Sequence, residues 1–435
     1  MQAPVADATS EKVPLFDGHV QQGAEEMPVS RLWDRLFALA VAAMVVLVLL
    51  RPFYLPVVNG DHYVYLAEHF VRGELSVNDM EGYADVVTFQ GNKYLPFGPV
   101  PALVLIPFLP LMYLFGTREE VWAGIVLTLF NYYLLARILK QIGVIGERRK
   151  WALLLFFGGT VYYSMAVVAA AWHFAHIVGT TCILLAISEA LGKKRMLVVG
   201  LLVGLAEATR FDLLFALPFF VWVIWHESNQ AQNNNGIRRY LSVAAFGRYA
   251  ALVAGLAIPM ILLAAYNYAR FGSPIETGYS MAAVASPLLV TAHEYGFYSL
   301  VHIPKNLFTL LLQGPMPFPA EDAAVLQPPY IQPSPWGMSI FLTSPAIVYA
   351  FRAKWKEPFV RACWLTILTI SATLITYYWT GFVQFGYRYA LDFMPFLIMI
   401  VALGLPKPMT NLSRALILAS VLVNIWGAIW LAKWI

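Results

Sequence analysis

The 435-residue chain turns on the stretch Asn59-Gly60-Asp61-His62-Tyr63-Val64-Tyr65. It follows directly on the first strongly apolar run and opens the first long polar segment. A carboxylate, an imidazole and two phenols therefore stand where a membrane helix ends and water begins. From there to Tyr94 the chain is polar and acidic, and it returns to apolar sequence through Lys93-Tyr94-Leu95-Pro96-Phe97-Gly98-Pro99. The expectation is that this first loop carries the chemistry and that the apolar helices downstream hold it in place.

Composition points the same way. Hydrophobic residues make up 60% of the chain and charged residues only 12%, about half the charged fraction of a soluble domain. An all-α polytopic membrane protein is the class this implies. Aromatics reach 15%, with 13 Trp and 23 Tyr, which suits interface belts and sugar-stacking surfaces. The net charge of +4 is small and clusters in short loops, a pattern of topology control and not of nucleic-acid binding. Cys182 and Cys363 both lie inside apolar runs, which argues against a disulfide framework or a thiolate metal site. Residues 1–31 are expected to form a flexible cytoplasmic tail, and 32–435 a single transmembrane domain.

Apolar runs occur at about 36–58, 97–115, 121–139, 151–171, 174–191, 196–225, 249–269, 337–351, 358–380, 389–405 and 413–432. Basic clusters at Arg148/Arg149/Lys150, Lys193/Lys194/Arg195, Arg238/Arg239/Arg248 and Arg352/Lys354/Lys356 are assigned to the cytoplasm by the positive-inside rule. The acidic 59–95 loop then lies outside, and 97–115 cannot be a crossing without breaking the alternation. Its entry and body carry Pro96, Pro99, Pro101, Pro107 and Pro110, each of which removes a backbone donor. We read 97–115 as a re-entrant or interfacial helix of a first external loop spanning 59–116. The run 196–225 must cross twice, with its turn near Thr209-Arg210-Phe211-Asp212. The result is about 11 transmembrane helices, a cytoplasmic N-terminus and a second external loop at 270–336 with a surface helix near 300–312. The segment 226–248, with Asn233-Asn234-Asn235, reads as a solvated loop.

Among the ionisable residues, Asp61 is the sharpest candidate for a base, and it also suits a helix N-cap, since an amphipathic pattern follows it. Lys93, Arg210, Arg270 and Arg388 fall on the outer side, where cations facing the bundle could hold a phosphate. Snorkelling to headgroups is the simpler account of Arg270. His173 and His176 share one helix face three residues apart, as a hydrogen-bonded pair or as ligands of a divalent metal. No Gly-rich phosphate loop and no HExxH or GxSxG motif occurs, and no cofactor is implied with certainty.

Taken together, Gly60-Asp61-His62-Tyr63-Val64-Tyr65-Leu66-Ala67, Lys93-Tyr94-Leu95-Pro96-Phe97-Gly98-Pro99, Gly200–Ala206 with Thr209-Arg210, Tyr266–Pro274, and Gly386-Tyr387-Arg388-Tyr389 with Asp392 and Pro395 resemble the C-type (GT-C) membrane glycosyltransferases. That group includes the protein O-mannosyltransferases and the aminoarabinose transferases. The resemblance implies transfer of a sugar from a polyprenyl-phosphate donor to a glycan, lipid or protein acceptor at the outer face of a bacterial cytoplasmic membrane. It implies Asp61 as general base with His62 beside it, where many members carry a second acid. Lys93, Arg210, Arg388 and Tyr387 would then contact the donor, and Tyr63, Tyr65, His173 and His176 would line the substrate pocket. The alternative class is a transporter or flippase for a lipid-linked or small polar solute. A transporter is expected to show inverted repeats and polar residues at the membrane midplane, and no repeat is visible in this sequence.

Overall fold

The computed structural model describes residues 31–54, 60–83, 85–116, 118–231, 243–281, 287–318 and 325–432. Asn59, the expected tail over 1–30 and Asn233-Asn234-Asn235 lie outside them. The chain opens with α1 (Arg31–Tyr54) and then α2 (His62–Val71), which ends at Gly73 with φ +77°. A two-stranded antiparallel hairpin, β1 (Val87–Phe89) and β2 (Asn92–Tyr94), follows. Next come α3 (Val100–Leu105), a 3-10 turn at Ile106–Phe108 and α4 (Leu109–Phe115). Pro107 falls in that 3-10 turn, so the prolines break the run into two short helices, as a missing backbone donor requires. These pieces stay against α2: α3 packs on it, and Tyr113 donates to Glu68 at 2.9 Å.

The bundle proper comprises α5 (Val121–Gln141), α6 (Gly146–Gly158), α7 (Tyr162–Val168), α8 (Trp172–Leu191) and α9 (Met196–Glu207). It continues through a 3-10 segment at Phe211–Ala216 into α10 (Leu217–Ala231) and α11 (Val243–Phe271). Much of the expected 226–248 loop is therefore helical, because α10 and α11 extend into it from both sides. After α12 (Pro287–Tyr295) and α13 (Ile303–Leu311), a minimal hairpin pairs β3 (Met316–Pro317) with β4 (Ile331–Gln332). The chain ends with α14 (Ile340–Thr343), α15 (Pro358–Thr376), α16 (Met394–Gly404) and α17 (Asn411–Leu431). The apolar run 337–351 is not an ordinary α-helix. Beyond the four residues of α14 it continues as a 3-10 segment, Pro345–Arg352, whose steeper rise of about 2 Å per residue lets few residues cover a long path.

Among the described residues, seven helices are long and apolar enough to cross a membrane, or eight if α6 and α7, bent by 53°, form one span. The chain is thus mostly helical, with the apolar spans of an integral membrane protein. Nearly all of α8 is buried and α1 lies on the rim. Contacts sort the connecting segments into two ends. At one end Glu147 pairs with Arg414, Arg148 bonds the Ala402 carbonyl, and Glu227 pairs with Lys194 and Arg248. At the other, α2 and its loop meet the 169–173 turn, Thr209 and the 266–281 segment.

Close backbone approach fixes α9 against α11. A Cβ at Gly200 would stand 2.0 Å from the Leu252 carbonyl oxygen, and one at Gly255 would stand 2.0 Å from that of Leu197. In an apolar solvent such small-residue contact is a main source of helix association. Gly200→Leu or Gly255→Leu is expected to lower the apparent melting temperature sharply and spoil a monodisperse elution profile. Gly247→Ala, on α11 with open space around its Cβ position, is expected to leave both unchanged.

Candidate functional site

Asp61 stands at the N-cap position of α2, but its side chain makes no capping bond. It accepts a hydrogen bond from Tyr83 at 2.6 Å and lies 4.0 Å from the Arg118 guanidinium. Capping is left to Glu120, whose Oε1 accepts from the Tyr63 backbone N–H at 2.7 Å. A carboxylate from another segment thus meets the positive end of α2, and Asp61 is spared that role. Burial pushes the Glu120 carboxyl well above its ordinary value, against the Tyr63 N–H. Its Oε2 is buried without a hydrogen-bond partner. Asp61, Tyr83, Arg118, Glu119 and Glu120 line one cavity of about 320 Å³. The wall opposite is the turn between α7 and α8, tied to α2 by the Ala171 N–H donating to the Gly60 carbonyl at 3.0 Å. Ala169 and Ala171 hold φ of +40° and +47° there, a conformation costly for residues with a Cβ and common at functional sites.

His62 is buried beside this cavity, its ring against Tyr83, Phe97 and Trp172. Its Nε2 lies 3.6 Å from Asp85, yet burial dominates and lowers its pKa to about 4. The imidazole is therefore neutral at neutral pH. Across Trp172 stands Arg388, whose guanidinium carbon is 5.7 Å from the Trp172 ring and 5.1 Å from the Tyr389 ring. Arg388 is buried, and its bonds, to the Phe382 carbonyl and the Tyr389 hydroxyl, are both long at 3.4 Å. It has no carboxylate at ion-pair distance among the described residues, and its Nε has no partner. A guanidinium in that setting is a ready anion site.

Arg210 stands differently. It is held by Asp392, through Nε to Oδ1 at 3.0 Å and a second nitrogen to Oδ2 at 2.9 Å, with Asp212 at 3.4 Å. Its charge is already answered, so the cation expected to meet a phosphate is here a structural partner. His176 joins the same carboxylate at 3.2 Å. It does not pair with His173, which is buried one turn away beside Trp172. Among the described residues no group of three His, Cys, Asp or Glu side chains is placed to hold a metal ion.

The remaining sequence candidates divide. Tyr65 faces the site, its ring 4.2 Å from the Arg118 guanidinium and edge-on to Tyr83. Tyr63 is buried beneath it. Lys93 donates to the Met80 carbonyl at 3.3 Å. Tyr387 is wholly buried, with its hydroxyl toward Asn306 and the Leu374 carbonyl, and anchors the Arg388 segment from behind. Arg270 does not snorkel: it turns inward to the Leu95 carbonyl at 2.7 Å and the Asn267 side chain at 2.9 Å, under the Tyr266 ring. Tyr83, Arg118 and Glu120 are absent from the sequence-based set. Arg118-Glu119-Glu120, three charges between two apolar runs, was the available signal. No family model, curated protein or solved structure matches this chain.

The depressed His62 value carries a pH dependence with a definite sign. Above 6.5 neither state is protonated; as pH falls, the unfolded chain takes up a proton that the folded one accepts only near 4. Stability is lost across that window, by about 3 kcal/mol in all, with about 2 kcal/mol gone by about pH 5. Thermal unfolding of wild type and His62→Phe at both ends of the window checks this: the variant is expected to lose less on acidification.

Proposed function

We propose that the chain is a glycosyltransferase that moves a sugar from a polyprenyl-phosphate carrier to an acceptor hydroxyl at the outer face of a bacterial cytoplasmic membrane. The observation that carries this reading is Asp61: a carboxylate at a cavity mouth, released from helix capping by Glu120 and oriented by Tyr83. The family resemblance supports it. So does the number of helices long and apolar enough to cross a membrane, seven among the described residues or eight with the bent pair. With the basic end cytoplasmic, Asp61 and Arg388 face outward.

In this mechanism Asp61 takes the proton of the acceptor hydroxyl as its oxygen bonds to the anomeric carbon of the sugar. The bond from that carbon to the phosphate oxygen breaks, and polyprenyl phosphate leaves with the electron pair. The leaving group is already a weak base, so it needs charge stabilisation more than a proton. Arg388 supplies that charge. Neutral His62 and the rings of Tyr83 and Trp172 fill the space between base and cation and keep water out.

Radiolabelled donor consumption by purified protein in nanodiscs tests the proposal. Asp61→Asn is expected to lose about 100-fold or more, the scale of a missing general base. Tyr83→Phe is expected to lose about tenfold through looser orientation, and Arg388→Lys to raise the donor KM. Undiminished transfer by a well-folded Asp61→Asn sinks the base assignment. One observation favours a transporter instead, the buried His176, Arg210, Asp212 and Asp392 group between spans; solute flux with no donor consumption would select it.

A further inference from the structure

Basic side chains at the end of the bundle opposite Asp61 fall into two groups. Lys150 pairs with Asp34, Arg195 with Glu189 and Arg414 with Glu147. Arg148, Lys354 and Lys407 have no carboxylate at ion-pair distance among the described residues. The fold nevertheless gathers these three at one point. Arg148, in the first turn of α6, donates to the carbonyl of Ala402 and, at 3.0 Å, to that of Leu403 at the end of α16. Gly404 then presses on the 3-10 segment: a Cβ there would stand 1.9 Å from the Tyr349 carbonyl oxygen and 3.1 Å from the Ala353 nitrogen. Lys354 and Lys407 both leave this backbone crossing, and both are exposed. Burial and the charges of Arg148 and Lys354 hold the Lys407 ammonium below its ordinary value. The nearest acid in sequence, Glu357, meets this turn through its backbone N–H on the Lys354 carbonyl at 3.0 Å. Cations gathered without a counter-charge repel one another and attract an anion.

The adjoining surface says what would carry that anion. Phe351 and Trp355 are 68% and 60% exposed, and their rings pack on Trp364 of α15 with centroids 5.7 and 6.3 Å away. Beyond them α15 leaves Leu365 and Leu368 exposed. Exposed apolar surface on a membrane-spanning helix faces lipid, and tryptophan beside it marks the level of the headgroups. We propose that Lys354 and Lys407, backed by the buried Arg148, form a binding site for an anionic phospholipid, its phosphate on the two ammonium groups and its acyl chains along Phe351, Trp355 and α15. Basic pockets between spans at the basic side of a membrane protein suit such headgroups. Arg148 is buried, with its hydrogen bonds on carbonyls, so it adds charge from beneath while the lysines meet the lipid. A lipid seated there braces the junction of α6, α16 and the 3-10 segment. The site depends neither on the transferase reading nor on which compartment the basic end faces.

The test is native mass spectrometry and thermal unfolding of the full-length protein in detergent. The probes are phosphatidylglycerol, phosphatidylcholine with the same acyl chains, and inorganic phosphate. Phosphatidylglycerol is expected to be retained about tenfold more tightly than phosphatidylcholine and to raise the unfolding temperature. Inorganic phosphate at the same concentration is expected to leave that temperature unchanged. Lys354→Gln and Lys407→Gln, both at exposed positions, are each expected to weaken phosphatidylglycerol about fivefold. Lys193→Gln, an exposed cation beside the Glu189–Arg195 pair, is expected to have no effect. Equal retention of the two lipids, indifference to both lysine substitutions, an equal loss in Lys193→Gln, or no retained phosphatidylglycerol overturns the proposal. Stabilisation by inorganic phosphate to the same extent would assign the site to a free anion and overturn the lipid as its occupant.

Discussion

A carboxylate buried among apolar helices persists only with its charge answered, and Asp392 meets that condition through partners far away in the chain. Arg210 grips it with two nitrogens, and His176 adds a third contact. Those partners come from the turn after α9 and from α8, while Asp392 itself closes the 3-10 segment before α16. Three elements are thereby pinned at the end of the bundle where Asp61 lies. Removing one partner would strand the other's charge in a low-dielectric interior, at a cost of several kcal/mol. Tyr389 sits against both Arg210 and Arg388, so the pinned cluster also sets where the Arg388 guanidinium points.

This division of labour between two arginines explains how a cationic site survives in so apolar a chain. Arg210 is neutralised and serves as a fixture. Arg388 is supported by ring faces and long bonds to neutral oxygens, with no carboxylate at ion-pair distance among the described residues. The carboxylates divide in the same manner. Glu120 caps α2 and Asp61 does not, although Asp61 occupies the capping position. Each pair contains one residue that holds the structure and one left with unspent capacity. The second member marks the site.

Much of this was legible in the sequence, for physical reasons. Apolar runs must become helices where no water can satisfy the backbone, so the helical class and the polar segment between α1 and α5 follow from composition. Prolines in 97–115 argued against an ordinary crossing helix there, and the run folds as two short helices joined by a 3-10 turn that holds Pro107. Pairing was not legible. Arg210 and Asp392 are separated by 182 positions, and nothing local distinguishes a paired arginine from a free one. Arg270 illustrates the same point: following a long apolar helix, it has the sequence context of a headgroup anchor, and only the fold brings the Leu95 carbonyl within reach. The 337–351 run misled in a different way, because an apolar composition is shared by α and 3-10 geometry. Pro345, just after Ser344, was the one hint.

The glycine contacts between α9 and α11 have a mechanical consequence. Two backbones in direct contact leave no side-chain layer to shear, so the pair behaves as a single stiff strut, and Arg210 is mounted at its tip. Any breathing of the site during turnover must then come from parts that rest on the strut from outside. The nearest is the segment running from Gly272 to Met281, which rests on the β1–β2 hairpin through Gly278 and Met281. Braced by packed helices on the Arg210 side and by a loop resting on a hairpin on the other, the site is built like a jaw with two unlike halves.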